Sequence, residues 1–461
     1  MAEKRDHWAS RIGFILAAAG SAIGLGNLWK FPYITWHNNG GAFVLVYLVC
    51  VLIIGLPIMM SEIIIGRRTQ KSPVPAFEEL GNKGWGLVGL FGVLTGFVIL
   101  GYYSVIAGWS IISFWQCINW SISGYVAPPE SAFGDFLADA QSQILLSLTF
   151  LVATAFIIWR GVSKGIEKAA KFLMPILFVI LAYLVIRVLF FPGIGQTMEF
   201  LFTPNFTELP TAGVLEALGH AFFTLSLGMG VMITYGSYMH KRESIVKSAG
   251  TVVFLDTLIA LLACVIMYTI IFSVAGMEGR IEASAIGMLF VTLPNLFYTE
   301  LSGGVLIGPL FYILVAFAAL TSTISLLEVI VSFFIDKLKM KRHSATALST
   351  CVVIFCAIYS ALSLGAVGFM SDFEIFEGKP GVLSTLDHLA ANWMLPLGGL
   401  LTTIFVGWFV SRKLALEQLG MVDKAGRATF YFKLWRFFIR FVAPAAIIAV
   451  IIAVILGKDF S

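Results

Sequence analysis

Gly20-Ser21-Ala22-Ile23-Gly24-Leu25-Gly26-Asn27 sits in the middle of one apolar run, 12–37, and Thr224-Leu225-Ser226-Leu227-Gly228-Met229-Gly230 sits in the middle of another, 213–239. Each glycine costs about 1 kcal/mol relative to alanine inside a helix, so clusters of them at membrane depth need a cause. Close packing through small residues is one cause. It does not account for Ser21, Asn27, Thr224 and Ser226 at the same depth. Unwinding of both helices there accounts for all of them, because irregular backbone is tolerated inside a membrane only where it faces a polar cavity. The amides freed at the start of a half-helix favour a carboxylate, and freed carbonyls suit a small cation.

The runs around these two stretches set the class. Of 461 residues 59% are apolar and 12% charged, too few charges to coat a soluble domain of that length. Crossing about 30 Å of hydrocarbon takes about 20 mainly apolar residues. Eleven runs qualify, at about 12–37, 42–66, 86–120, 142–160, 166–191, 213–239, 245–275, 305–335, 345–365, 384–411 and 436–457. The stretch 276–300 is too polar to span and reads as an external hairpin with a short helix, Glu282–Val291, ahead of Pro294.

The loops alternate in charge. Arg67, Arg68 and Lys71, then Arg160, Lys164, Lys168 and Lys171, then Lys241, Arg242 and Lys247, then Lys337, Lys339, Lys341 and Arg342 fall on one side. Glu130, Asp135, Glu199, Glu208, Glu282 and Asp372 fall on the other. The basic side is cytoplasmic by the positive-inside rule, which predicts an inner (plasma) membrane protein with its N-terminus inside and, with eleven spans, its C-terminus outside. Polar Met1–Ser10 and the long glycine-rich run after it lack the build of a cleaved leader.

Interrupted helices at the first and sixth spans predict two five-helix repeats of opposite topology, about 11–191 and about 213–411, with an added helix at about 436–457, all in a single domain over 1–461. Cys50, Cys117, Cys264, Cys351 and Cys356 are scattered through apolar runs, without disulfide or metal-ligand spacing. The partners expected are membrane lipid and a small molecule, not nucleic acid. Oligomeric state has no signature in the chain.

Gly24-Leu25-Gly26-Asn27-Leu28-Trp29-Lys30-Phe31-Pro32, followed by Asn39-Gly40-Gly41-Ala42-Phe43, strongly resembles the diagnostic stretch of the neurotransmitter:sodium symporter family. The likeness continues through Phe222–Gly230 and Ala319–Thr323 and covers nearly the whole chain, with small bacterial amino acid members looking closest. It implies an all-α integral membrane protein of the LeuT-type 5+5 inverted repeat, and two sodium sites. Sodium is a hard cation that takes oxygen donors. The first site would use the Ala22 carbonyl, Asn27, Thr224 and Asp256; the second the carbonyls of Gly20, Ile23 and Ala318 with the hydroxyls of Thr321 and Ser322. Those hydroxyls could instead bond back to their own helix.

Asp256 stands where the family often has asparagine. A carboxylate inside an apolar run is costly unless it has a partner or a role. Its fixed negative charge would replace the chloride that some members hold nearby, so no chloride requirement is expected. His220 stands where chloride-binding members carry glutamine, and reads equally as a core histidine donating to Tyr47 or Asp256. Glu62 resembles the glutamate that braces the unwound backbone.

The resemblance also predicts the substrate site: Ala22, Gly24, Leu25 and Gly26 on the first span, Ile99 and Tyr103 on the third, Phe223, Thr224, Ser226 and Met229 on the sixth, and Ser322, Ser325 and Leu326 on the eighth. Monoamine members have aspartate at the place of Gly24; glycine there leaves room for a substrate carboxylate, to which Tyr103 would donate. The mainly apolar, uncharged lining predicts neutral hydrophobic L-amino acids, imported with sodium by alternating access. A taurine- or GABA-like zwitterion is the alternative. Lys30 with Asp387 would gate the outside, and Arg5 with Asp336, supported by Trp8, Tyr238 and Glu328, the inside. Gly165 and Pro175 have the spacing of a segment that unwinds to hydrate the second sodium site.

Other classes fit poorly. The six histidines show no i, i+4 pairing for a metal, no large loop carries a signal, and a channel would pass currents far above a carrier's turnover.

Overall fold

Lipid offers the backbone no hydrogen-bond partners, so the apolar runs wind into helices. The computed structural model describes residues 6–129, 131–274, 285–299 and 303–458. Among the described residues nine helices are long and apolar enough to cross a membrane: Gly41–Thr69, Lys83–Ser123, Ala140–Trp159, Val162–Val188, Ile245–Phe272, Gly304–Leu338, Arg342–Leu362, Val382–Phe409 and Phe430–Ile455. A tenth span is the pair Arg11–Ala22 and Gly26–His37, bent by 47°. Pairing of strand type is confined to one isolated bridge, Val422–Ala428, among the described residues.

Eleven expected spans thus meet nine continuous helices and one bent pair. The difference lies in the run 213–239, which forms two helices, Thr211–Thr224 and Val231–Ser237, each too short to cross alone. Residues 225–230 between them are non-helical. Close backbone approach holds the shorter half in place. A Cβ added at Gly66 would lie 1.9 Å from the Ile233 carbonyl oxygen, and one at Gly236 would lie 3.0 Å from the Ile63 backbone. Both glycines let this half-helix and the Gly41–Thr69 helix touch without side chains between them.

The Gly304–Leu338 helix runs against the Lys83–Ser123 helix at the centre of the bundle. The most apolar stretch of the latter is 72% buried, against 33% for Ala140–Trp159 and 39% for both Val162–Val188 and Phe430–Ile455. The last three therefore form the lipid-facing wall. The hairpin expected at 276–300 lies partly outside the described residues; its described part ends in a short helix, Met288–Thr299, that buries Leu289, Leu293, Leu296 and Phe297. This connection packs into the bundle.

Candidate substrate and ion site

The two breaks face each other. The first helix leaves helical geometry at Ile23, with ψ 89°. In the second break Ser226, Gly228 and Gly230 have φ of 53°, 78° and 76°. That region is uncommon for a residue with a Cβ, so Ser226 is held there by its partners. Its hydroxyl donates to the Ser21 carbonyl at 3.0 Å and accepts from the Ser21 hydroxyl at 3.1 Å. Ser21 also donates to Ser325 at 2.6 Å, which ties three helices together. Glu62 Oε1 accepts the Gly228 amide at 2.7 Å, bracing the unwound backbone.

Next to the breaks three side-chain oxygens converge. Thr224 Oγ1 lies 2.9 Å from Asp256 Oδ1 and 3.1 Å from Asn27 Oδ1. Asn27 Nδ2 donates to Asp256 Oδ1 at 2.8 Å, and its Oδ1 accepts the Gly24 amide at 3.3 Å. Asn27, Thr224 and Asp256 are all buried, with Asp256 0% exposed. A fully buried carboxylate among neutral oxygens offers one unit of negative charge and oxygen donors about 3 Å apart, the chemistry of a small-cation site. Tyr47 approaches Asp256 Oδ2 at 3.5 Å, the edge of hydrogen-bond range. His220 makes neither donation expected of it: its ring stacks on Phe31, centroids 5.3 Å apart, and its Nε2 has no partner among the described residues.

Beside these oxygens lies a small cavity of about 30 Å³, lined by Ser21, Ala22, Gly24, Gly26, Ile99, Tyr103, Phe223, Thr224, Ser226, Met229, Ser322, Ser325 and Leu326. No ionisable carboxylate or cation is among them. Of the thirteen residues expected for the substrate, only Leu25 is absent from the lining; its amide donates to the Tyr103 hydroxyl at 3.0 Å. Gly24 is packed tightly, since a Cβ there would fall 2.5 Å from Ser322 Oγ and 2.9 Å from the Tyr103 hydroxyl. Ser21 was noted in the sequence only as an unexplained polar residue. Its bridging role depends on which helices meet it.

Comparison with known proteins accords with this geometry. Residues 5–125 and 135–459 match the sodium:neurotransmitter symporter family. The chain belongs to that family. An uncharacterised sodium-dependent transporter of Bacillus subtilis, YhdH, is 36% identical over 98% of both chains. The human sodium- and chloride-dependent GABA transporter 2 is more distant, 25% identical over 89% of this chain and 74% of its own. The crystal structure of MhsT in complex with L-phenylalanine superposes with a TM-score of 0.87 at 39% identity, covering 97% of this chain and 99% of that one. The chain is thus a sodium-coupled membrane transporter of the LeuT fold and not an enzyme.

Within this symporter the second group of oxygens is looser. Thr321 Oγ1 donates back to Ala318 O at 3.0 Å and Phe317 O at 3.2 Å, the local bonding open to it from sequence. Ser322 Oγ instead crosses to the Ser21 carbonyl at 3.2 Å. Gly20 faces Thr321, whose Cβ would lie 3.0 Å from a Cβ added at Gly20. Ile23 lies at the break itself, its amide still bonded to Ala19 O at 2.7 Å.

Charged and aromatic groups flank the cavity on two sides. On one, Lys30 Nζ contacts both oxygens of Asp387, at 2.9 and 2.7 Å, with its ammonium 5.0 Å from the Phe223 ring centroid. On the N-terminal face, Trp8 donates through its indole to Tyr235 O at 3.0 Å and through its amide to Tyr238 O at 3.1 Å. Tyr238 donates to Glu328 Oε1 at 2.6 Å, and Arg342 takes Glu328 Oε2 at 2.6 Å. Arg5 lies outside the described residues. Asp336, its expected partner, accepts the Ser72 amide at 2.6 Å.

Two residues of these networks were not singled out from the sequence. Arg342 read as one more loop cation. Glu167, almost wholly buried, accepts from the Ala9 amide at 2.6 Å and the Ser10 hydroxyl at 2.9 Å. Nothing in the sequence marks Glu167 out from the neighbouring Lys164, Lys168 and Lys171; these contacts come from the docked N-terminal segment. The Gly165–Pro175 segment is wound: Val162–Glu167 is helical and Pro175 lies within the Lys168–Val188 helix.

Proposed function

We propose that this transporter couples sodium to the import of neutral, mainly hydrophobic L-amino acids by alternating access, without a need for chloride. The observation that carries the reading is the convergence of Asn27, Thr224 and Asp256 beside an uncharged cavity at the two helix breaks. In this reading sodium sits among those three side chains and the Ala22 carbonyl, and the substrate carboxylate completes its shell. Tyr103 donates to the carboxylate, from above Gly24. The amino group meets the carbonyls of Ala22, Phe223 and Thr224 and the Ser226 hydroxyl. A second sodium is held by Gly20, Ile23, Ala318, Thr321 and Ser322, whose hydroxyls turn from their present partners to reach it.

Charged side chains are disfavoured because the lining offers no counter-charge in exchange for lost water. As it stands the cavity has room for about one water, so an amino acid side chain requires outward rotation of Met229, Phe223 and Leu326. Met229 is unbranched and adapts to several shapes, which supports a broad range that includes aromatic residues. Asp256 supplies the negative charge that a bound chloride would otherwise bring. Two repeats, about 11–191 and about 213–411, would rock about this site, with the basic loops and N-terminus in the cytoplasm of a bacterial-type inner membrane.

The test is uptake of labelled leucine, phenylalanine, lysine, GABA and taurine into proteoliposomes under sodium or potassium gradients, in chloride and in gluconate. Sodium-driven uptake of leucine and phenylalanine, equal in both anions, is expected. Preference for GABA or taurine would replace the substrate assignment, and loss of uptake in gluconate would remove the fixed-charge role of Asp256.

A further inference from the structure

A second cavity, on the lipid-facing edge of the N-terminal face, meets the groups above only through Ala9 and Glu167. It is open, about 730 Å³ in volume, and lies where the Ala140–Trp159 helix ends and the Val162–Val188 and Arg342–Leu362 helices begin. Arg160, Lys164, Lys168 and Lys171 line it, and all four are exposed. One carboxylate shares the lining, Glu167, and it is already committed to Lys171 at 2.6 Å and to the docked N-terminal segment. Lys164 and Lys168 have no hydrogen bond or ion pair among the described residues. A second carboxylate, Asp6, adjoins the cavity and accepts the Val162 amide at 3.3 Å; four cations against two carboxylates still leave a net positive charge that a phosphate-bearing group would satisfy.

What adjoins the charge decides the kind of anion. Phe156 is 61% exposed, one turn before Arg160 on the same helix face, and its ring lies 5.1 Å from the Arg160 guanidinium. Phe172 is 64% exposed, one turn beyond Lys168 on its own helix. Trp159, also exposed, stacks on His343 with centroids 4.5 Å apart and planes 10° from parallel, and forms the wall between helices. On two neighbouring helices, then, a cation stands at the mouth of the cavity with an exposed aromatic ring next to it in the membrane-facing wall. A free phosphate would use only the cations. A phospholipid uses both.

We propose that this cavity seats the headgroup phosphate of an anionic phospholipid, with Arg160, Lys164 and Lys168 around the phosphate and the acyl chains along Phe156 and Phe172. Basic clusters at a membrane surface attract anionic lipid through several weak charge contacts acting together. The bound lipid would also tie the Val162–Lys171 segment to the Arg342–Leu362 helix and slow its opening. That consequence rests on the transport cycle proposed above, whereas the binding itself does not.

Native mass spectrometry of the purified transporter in neutral detergent, titrated with phosphatidylglycerol or phosphatidylcholine, reads the binding without any transport step. One phosphatidylglycerol is expected to bind saturably, at least about tenfold tighter than phosphatidylcholine. The Arg160→Gln/Lys164→Gln/Lys168→Gln variant is expected to lose about tenfold or more of that affinity, while keeping its sodium-induced thermal stabilisation as proof of fold. Equal binding of the two lipids, or unchanged phosphatidylglycerol binding in the variant, overturns the site. Displacement of the lipid by equimolar glycerol phosphate overturns the lipid and leaves a soluble-anion site.

Discussion

Asp256 gathers the most chemistry of any single residue. It is fully buried in the Ile245–Phe272 helix, yet its Oδ1 accepts from both Asn27 and Thr224, which stand at the two helix breaks. Asp256→Asn keeps the shape and removes the charge, so the expected outcome is at least a tenfold rise in the sodium concentration for half-maximal uptake in chloride-free buffer. Sodium titrations of uptake by wild type and variant check it; an unchanged sodium dependence counts against the fixed charge. At Gly24 the constraint is steric. A Cβ 2.5 Å from Ser322 Oγ forces that hydroxyl or Tyr103 aside, and both line the cavity. Gly24→Ala is expected to lose leucine uptake by about a hundredfold while the protein still purifies folded, as read by sodium-dependent melting. Met229→Phe should narrow the substrate range: phenylalanine should compete several-fold more weakly against alanine than in wild type, because a stiff ring takes the space that methionine yields.

At the scale of elements, the breaks in the first and sixth expected spans differ in severity. The first is a 47° bend with the helix resuming within a few residues, while the second unwinds over 225–230 and is braced by Glu62. Glycine density was similar in both stretches. The partner decides: Glu62 takes the place of a lost helical bond at Gly228, and it is supplied by a different helix. The Val162–Val188 helix shows the reverse case, an element wound in spite of Pro175. Proline leaves one carbonyl unpaired a turn earlier, so the segment beginning at Gly165 opens at lower cost than its neighbours. If that opening releases sodium, Pro175→Ala should slow turnover several-fold with substrate affinity unchanged. Uptake rate and equilibrium binding measured on the same preparation separate the two; equal rates would remove the role.

For the whole molecule, the N-terminal face carries a charge network that reaches across several helices. Glu328 is 0% exposed and is held by Tyr238 and Arg342, and Arg342 also donates to Ile158 O at 2.9 Å. Removing one member of a buried pair strands the other, at a cost of about 3–5 kcal/mol. Arg342→Met alone is therefore expected to lower thermal stability sharply, and Glu328→Gln added to it to restore most of the loss. Melting of both variants in the same detergent checks the order. If the double variant is no more stable than Arg342→Met, the pair is not the source of the cost. The pair on the opposite side of the cavity, Lys30 with Asp387, is nearly as buried, and Nζ reaches both carboxylate oxygens.

Hydropathy alone determined that this chain is a helical membrane bundle, because lipid leaves a long apolar backbone no other solution. The two glycine-rich stretches located the breaks, since their cost inside a helix is local and readable at each residue. Six of the thirteen lining residues lie in the motif stretches Gly24–Pro32 and Phe222–Gly230 and are readable from them; the rest, apart from Ser21, come from the wider family resemblance. Tertiary structure decided what depends on distance across the bundle. It split the run 213–239 into two helices and reduced the tally of continuous spans below eleven. It made Ser21 a bridge between Ser226 and Ser325, placed His220 against Phe31 instead of Asp256, paired the loop cation Arg342 with buried Glu328, and buried Glu167 under the N-terminal segment. Each of these outcomes is a meeting of side chains on different helices or a choice among equal local options. Neither is encoded in spacing along one helix, and both are settled by which helices pack together.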